Sequence, residues 1–368
     1  MLILNQNLLM VKAILQVFFI FVFSSSQAQI RTGLKVYREF DPTRTFDTIA
    51  SSAMHKRPVK IDLFYPSSDL GTVLPLRYGA ILNMYSNRMD YHITQDSAEK
   101  VSEDLAKVFA DYLKLDYPEQ YIQYSTGIYS DLKLPVQKLP LIVYAAGMNG
   151  SSWENVVLFD SLCKAGYVVA AVSSVGLFPG YMSTAPDITE QVKDVLFAKD
   201  KISQLPFIDK NKIGFLSWSL GGSAVSKAAM ISNDIKCILS YDGTEIHYYG
   251  VDSAWDTQFD EMIALEPSDA SAIKVPYLYV SSDRPKADKM YNIFDHIASK
   301  EKYFVKITEG THEDFSSITT IANDIKPGRT GADLSKTDQI WQLTRTFFDQ
   351  FLKGKSSVYL KELIERFN

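Results

Sequence analysis

Lys212-Ile-Gly-Phe-Leu-Ser-Trp-Ser-Leu-Gly-Gly-Ser-Ala-Val225 is the stretch whose reading decides the fold. Ile213 to Leu216 is a short apolar run, consistent with a buried strand. It breaks at a turn of mostly small residues, Ser217 to Gly222, and a helix-compatible run from Ser223 to Met230 follows at once. Strand, sharp turn and helix with Ser219 at the apex is the layout of a nucleophile elbow. Such a turn strains the serine and exposes its hydroxyl. The residues two before and two after must be small, because backbones pass close together there. Gly221 meets that demand, and Ser217 stands where a glycine is usual. The helix start leaves free N–H groups and a positive dipole end beside Ser219, where an oxyanion would form.

Around such an elbow, an acid and then a histidine follow the serine in chain order. The chain has five histidines: His55, His92, His247, His296 and His312. Only the last three follow Ser219. His247 comes before any further long strand, and His296 lies in Lys286 to Lys300, which reads as a helix with a surface or packing histidine. His312 follows the strand-like Tyr303 to Thr308 and the loop Glu309-Gly310-Thr311. A histidine just past a late strand suits a general base, because neutral imidazole accepts a proton near neutral pH. Two residues compete for the acid. Asp242 ends the strand-like Ile235 to Tyr241, and Asp283 ends Tyr277 to Ser282. Either would emerge at the carboxyl edge of a parallel sheet, where sites in open α/β folds lie. A carboxylate there would orient the imidazole and stabilise its cation.

From about residue 58 to 352 the chain resembles the α/β-hydrolase superfamily, nearest to the branch of platelet-activating-factor acetylhydrolases and dienelactone-hydrolase-like proteins. The resemblance rests on Val59-Lys-Ile-Asp-Leu-Phe-Tyr-Pro66, Pro140-Leu-Ile-Val-Tyr-Ala-Ala-Gly147, Gly166-Tyr-Val-Val-Ala-Ala-Val172, Ser217-Trp-Ser-Leu-Gly221 and Gly310-Thr-His-Glu-Asp-Phe315. It implies a doubly wound, mainly parallel sheet with helices on both faces and a Ser-His-Asp triad. Acetylhydrolases of that kind carry the acid after the first strand beyond the elbow, here Asp242. Dienelactone hydrolases carry it one strand later, here Asp283. The Gly-x-x-His-x-x-Phe pattern about His312 resembles the acetylhydrolase side and favours Asp242, with Asp283 as the alternative. The resemblance also assigns the oxyanion donors to the backbone N–H groups of Leu220 and Met148. The family usually has His-Gly ahead of the second donor, whereas this chain has Ala146-Gly147. Ser151 or Ser152 is expected to cap the helix that follows.

The first 28 residues read as a signal peptide. Lys12 is the only charge before Arg31, Ala13 to Phe23 is apolar but shorter than a membrane span, and Ser26 and Ala28 suit a cleavage site. The expected location is therefore secreted or periplasmic, with no stable membrane span once the signal is removed. Residues 29–368 suit a single large α/β domain. The hydrophobic share of 46% is ordinary for a folded core, which argues against disorder. A net charge of −5 and the lack of any basic run argue against a nucleic-acid partner. No Cys or His spacing suggests a metal, and no cofactor is expected. Cys163 and Cys237 read as two buried thiols, although a bridge between them is open.

Strand-like and helix-like runs alternate along the chain, as in a mainly parallel doubly wound sheet. Residues 80 to 130 interrupt the series with the amphipathic Ala98 to Leu113 and a group of tyrosines including Tyr117, Tyr121, Tyr124 and Tyr129. This is an insertion, either beside the site or peripheral to it. The function that follows is a serine esterase acting on a small-molecule ester, with short acyl or acetyl groups favoured. The alternative is a catalytically silent fold used for binding, since function lives in the site and not in the fold. A peptidase on the same fold would normally bring a propeller or large cap, for which this chain has no room.

Overall fold

The computed structural model describes residues 30–46, 56–113, 118–265, 269–284, 289–327, 334–356 and 358–367. The signal segment expected at 1–28 lies outside them, as does Tyr117.

Nine of the described strands form one sheet. β1 (Arg31–Thr45) and β2 (Lys56–Ser67) pair antiparallel at its start. Three helices follow: α1 (Tyr78–Ser86), α2 (Gln95–Tyr112) and α3 (Pro118–Gln123). Next come β3 (Ile128–Ser130), β4 (Leu139–Ala145), α4 (Val156–Lys164), β5 (Val168–Val172), α5 (Ile188–Ser203), β6 (Ile208–Trp218) and α6 (Leu220–Ile231). The second half holds β7 (Cys237–Tyr241), β8 (Ile246–Tyr248), α7 (Ser253–Leu265), β9 (Tyr277–Ser281), β10 (Met290–Asn292) and β11 (Lys302–Lys306). It closes with α8 (Ser317–Ile325), α9 (Leu334–Lys353) and α10 (Val358–Glu365). The strand order is β11-β9-β7-β6-β4-β5-β2-β1-β3, and every pairing from β11 to β5 is parallel.

Parallel strands covered on both faces must be apolar throughout. All residues of β4, β5, β7 and β9 are buried. Their side chains alternate between two cores. Leu141, Val143 and Ala145 pack in the layer holding α5 and α6, while Ile142 and Tyr144 pack in the layer holding α4 and α9. Because these strands run the same way, their carboxyl ends share one edge. Residues 146–150, Ser219, Asp242 and Arg284 all lie at that edge.

The helix expected at 286–299 is a correction over its described part, residues 289–299. Instead of a helix, Met290–Asn292 forms a strand antiparallel to β8, and Phe294–His296 is a single 3-10 turn. The apolar spacing of Ile293, Phe294 and Ile297 resembles a helix stripe, but those three side chains are buried from irregular backbone. Pairing with β8 overrides the local pattern. His296 is exposed there.

The insertion shares the α4/α9 core. Phe109 of α2 packs on Trp153 at 4.9 Å between ring centroids, and Tyr85 of α1 meets the same indole edge-on. The Tyr78 hydroxyl donates to the Trp153 carbonyl at 3.0 Å, and the Tyr121 hydroxyl donates to the Ile318 carbonyl at 3.1 Å. The amphipathic face of α2 thus buries Trp153, which lies a few residues beyond the glycine loop at the end of β4. Cys163 and Cys237 are both free and buried.

Candidate active site

Ser219 sits between the end of β6 and the start of α6 with φ 56° and ψ −127°. Positive φ strains a residue that carries a Cβ. The turn is held from outside: Ser219 N–H donates to the Tyr241 carbonyl, and the Ser219 carbonyl accepts from the Gly222 and Thr244 N–H groups at 2.9 and 3.0 Å. A Cβ on Gly221 would fall 2.2 Å from the Ala145 carbonyl oxygen, so β4 crosses the turn too closely for any side chain. Ser217 is fully buried, and its hydroxyl donates to the Ser240 hydroxyl. Its small size meets the packing demand that a glycine meets elsewhere.

Non-glycine residues with positive φ are five among those described: Asp131, Asn149, Ser219, Asp242 and Glu309. Four lie on loops at the carboxyl edge. Strain of this kind persists only where the surroundings over-determine it.

Asp242 and His312 are brought together. His312 Nδ1 lies 2.6 Å from Asp242 Oδ2. Asp242 is buried, and its Oδ1 accepts the Ser282 N–H while its Oδ2 accepts the Ser282 hydroxyl. Burial alone would raise its pKa. The hydrogen bond and charge of His312, with the Arg284 guanidinium, outweigh burial and hold the carboxyl well below the usual carboxylate range. The His312 imidazole stacks on the Trp218 indole with centroids 4.9 Å apart, and Trp218 Nε1–H donates to the His312 carbonyl at 3.1 Å. The imidazole is thereby fixed to the residue that precedes Ser219.

Asp283 is not brought to His312. Its carboxylate pairs with Lys306 and accepts the Glu309 N–H at 2.9 Å. It braces the loop that leads to His312. His247 bonds instead to Asp256 at 2.8 Å and stacks on Phe259.

At the end of β4, residues 146–150 form a loop fastened on several sides. Gln191 donates to the Ala146 carbonyl at 2.6 Å, and the Asn149 amide exchanges two hydrogen bonds with the Ser183 backbone. The Glu154 carboxyl lies beneath the loop, accepting the Gly147 N–H at 3.1 Å and the Tyr144 hydroxyl at 2.7 Å. The Met148 N–H is bonded to none of the described residues. Leu220 is the first residue of α6, so its N–H precedes the intrahelical ladder. The expected serine cap is a correction. The Ser151 hydroxyl pairs with Ser173, and the Ser152 hydroxyl donates to Asp62, because both face buried polar partners rather than the helix start.

Two residues of the site escaped the sequence reading. Arg284 follows the candidate Asp283 and contributes Nη2 at 2.5 Å to Asp242. Glu154 lies just ahead of the apolar Val156 to Phe159 and is only 1% exposed. A charge embedded in Trp153-Glu-Asn-Val-Val157 was the available signal for Glu154. Nothing in spacing tied Arg284 to a residue 42 positions away.

No protein-family model and no curated protein matches the sequence. Solved structures do match it in shape. A ferulic acid esterase from Streptomyces cinnamoneus superposes with a TM-score of 0.60 at 16% identity, over 91% of this chain and 94% of that one. An acylaminoacyl peptidase from Pyrococcus horikoshii superposes with a TM-score of 0.50 at 15% identity; the match covers 91% of this chain but 44% of the peptidase. The chain has the α/β-hydrolase fold. Within this α/β-hydrolase fold the elbow serine, the loop after β4, Asp242 and His312 all occupy the carboxyl edge of the sheet.

Proposed function

We propose that the protein is a serine hydrolase that cleaves carboxylic esters, with short acyl groups preferred. The observation that carries this reading is the 2.6 Å bond between His312 and buried Asp242, stacked against the residue before a strained elbow serine. In this reading Ser219 Oγ attacks the ester carbonyl carbon and its proton passes to His312 Nε2. Asp242 holds Nδ1–H and stabilises the imidazolium. The N–H groups of Leu220 and Met148 receive the oxyanion. The leaving alkoxide takes the proton from His312, and water repeats the sequence to release the acid from Ser219. Ester cleavage is also the activity in the name of the Streptomyces neighbour, which supports the reading.

The preference for short acyl groups is motivated by the acetylhydrolase-like placement of the acid after Tyr241. Met148 in the loop after β4, and Met182 beside Ser183, which bonds to Asn149 of that loop, are exposed apolar side chains that a small acyl or alkyl group could contact. A series of chromogenic esters of increasing acyl length is the test. The expected result is the highest kcat/KM at acetyl to butyryl and no activation at micelle formation. A steady rise with chain length would replace this reading with a lipase-like one.

A further inference from the structure

Glu154 is an ionisable residue in a buried place where no cation pairs with it among the described residues. It lies at the sheet edge, 1% exposed, between the loop after β4 and the insertion. Its Oε2 accepts from Gly147 N–H and Tyr144 Oη–H. Its own carbonyl accepts the Ser316 hydroxyl, a few residues beyond His312. A Cβ on Gly147 would lie 3.1 Å from Glu154 Oε1 and 3.3 Å from Ser219 Cβ, so one glycine separates this carboxyl from the elbow serine. A Cβ on Gly150 would overlap Glu154 Oε1. Both glycines of the loop therefore leave space that the carboxyl fills.

We propose that Glu154 is a positioning residue for the oxyanion loop, supporting catalysis while it is neutral and opposing it once ionised. The proposal rests on the ester-hydrolase reading above. A neutral carboxyl packs under Gly147 and fixes the direction of the next N–H, that of Met148. A carboxylate in the same place would set a negative charge close to the oxyanion that the loop must stabilise, from a buried position where solvent screens it weakly.

The surroundings favour the neutral form. Burial raises the Glu154 carboxyl to about 8, against the Tyr144 and Gly147 hydrogen bonds, which favour its ionisation. The titratable groups facing it are Tyr144 from β4 and Tyr78 and Tyr85 from α1, all with pKa raised by burial and so uncharged. From the segment after His312 it meets the Ser316 hydroxyl. On β2, the Lys60–Asp62 pair is internally neutralised and reaches this region through Ser152. Arg88 is stacked on the Tyr85 ring, 3.7 Å from its centroid. No cation bonds Glu154 among the described residues.

The test is the pH profile of ester hydrolysis by wild type and Glu154→Gln, which keeps the shape and removes the charge. Wild-type kcat/KM should fall above pH about 8, approaching tenfold per pH unit. Glu154→Gln should keep kcat/KM within about fivefold of wild type at pH 6.5 and lose that alkaline fall. A folded Glu154→Gln with the wild-type alkaline limb overturns the proposal. Tyr144→Phe is the second variant. It removes a hydrogen bond that favours the carboxylate, so the limb should move to higher pH, and an unmoved limb is equally damaging. Difference infrared spectra of wild type against Glu154→Gln give a readout that needs no turnover. A protonated-carboxyl band present at pH 6.5 and gone at pH 10 is expected, and its absence at pH 6.5 sinks the idea. If wild type hydrolyses no ester while the band is present, the ester-hydrolase reading fails and the neutral Glu154 stands.

Discussion

One oxygen of Asp242 is shared by three neighbours. Its Oδ2 lies 2.9 Å from the Ser282 hydroxyl, 2.5 Å from Arg284 Nη2 and 2.6 Å from His312 Nδ1. Arg284 Nη2 is also 3.2 Å from His312 Nδ1, but that nitrogen spends its proton on Asp242, so the two donors converge on a common acceptor. Replacing Asp242 with Asn removes the charge and permits the wrong imidazole tautomer. Asp242→Asn should therefore lower kcat by ~10⁴, as removal of an orienting carboxylate does in serine triads. Asp283→Asn should cost less than about tenfold, because Asp283 only braces the loop before His312. Steady-state kinetics of both variants decides this, and the reverse ranking would move the acid to Asp283. At this scale the sequence exposed Ser219, His312 and the two competing acids, since each stands at the end of an apolar run. Arg284 and Glu154 were not legible as site residues, because each reaches it by a side chain crossing between elements.

At the scale of elements, the elbow is held by the crossing of β4 over the start of α6. Gly221→Ala places a methyl 2.2 Å from the Ala145 carbonyl oxygen and 2.8 Å from that of Ala146. Backbone must shift, and overpacking of this kind costs about 1–3 kcal/mol. The shift falls on the loop carrying Met148, so kcat should drop together with stability. Urea denaturation and kinetics on the same variant check both, and an unchanged midpoint would contradict the crossing described. The central parallel strands were readable because strands buried on both faces are continuous apolar runs. β8, β10 and the 289–299 stretch were not, since a short ribbon is stabilised by its partner rather than by local pattern. The stripe on Ala98 to Leu113 announced a buried face, and only the fold shows that this face covers Trp153.

Across the whole molecule, two buried carboxyls weaken the fold as pH rises. Burial raises Glu154 to about 8 and Glu245 to about 7, from an ordinary 4.5. Each binds its proton more tightly in the folded chain than in the unfolded one. Between pH 4.5 and those values folding takes up protons, so stability falls as pH rises. Asp41, Glu190, Asp234, Asp242 and Asp349 are shifted the other way and withdraw stability only as pH falls through their lowered values. Thermal stability should therefore decline from pH 6 to pH 9. Glu245 is hydrogen-bonded to Tyr277 behind the elbow, away from the oxyanion loop. Glu245→Gln should flatten the decline, by about 1 kcal/mol between pH 6 and pH 9. Melting curves across that range check it, and a variant that loses stability as steeply as wild type would contradict the assignment.

Everything proposed for the site depends on Ser219 being an activated nucleophile. Its most direct test is reaction of the purified chain with a fluorophosphonate probe, followed by peptide mass mapping. One adduct is expected, on Ser219, formed at a rate that falls by orders of magnitude in Asp242→Asn and absent in Ser219→Ala. A folded wild-type chain that takes no label, or carries it on another serine, would contradict it.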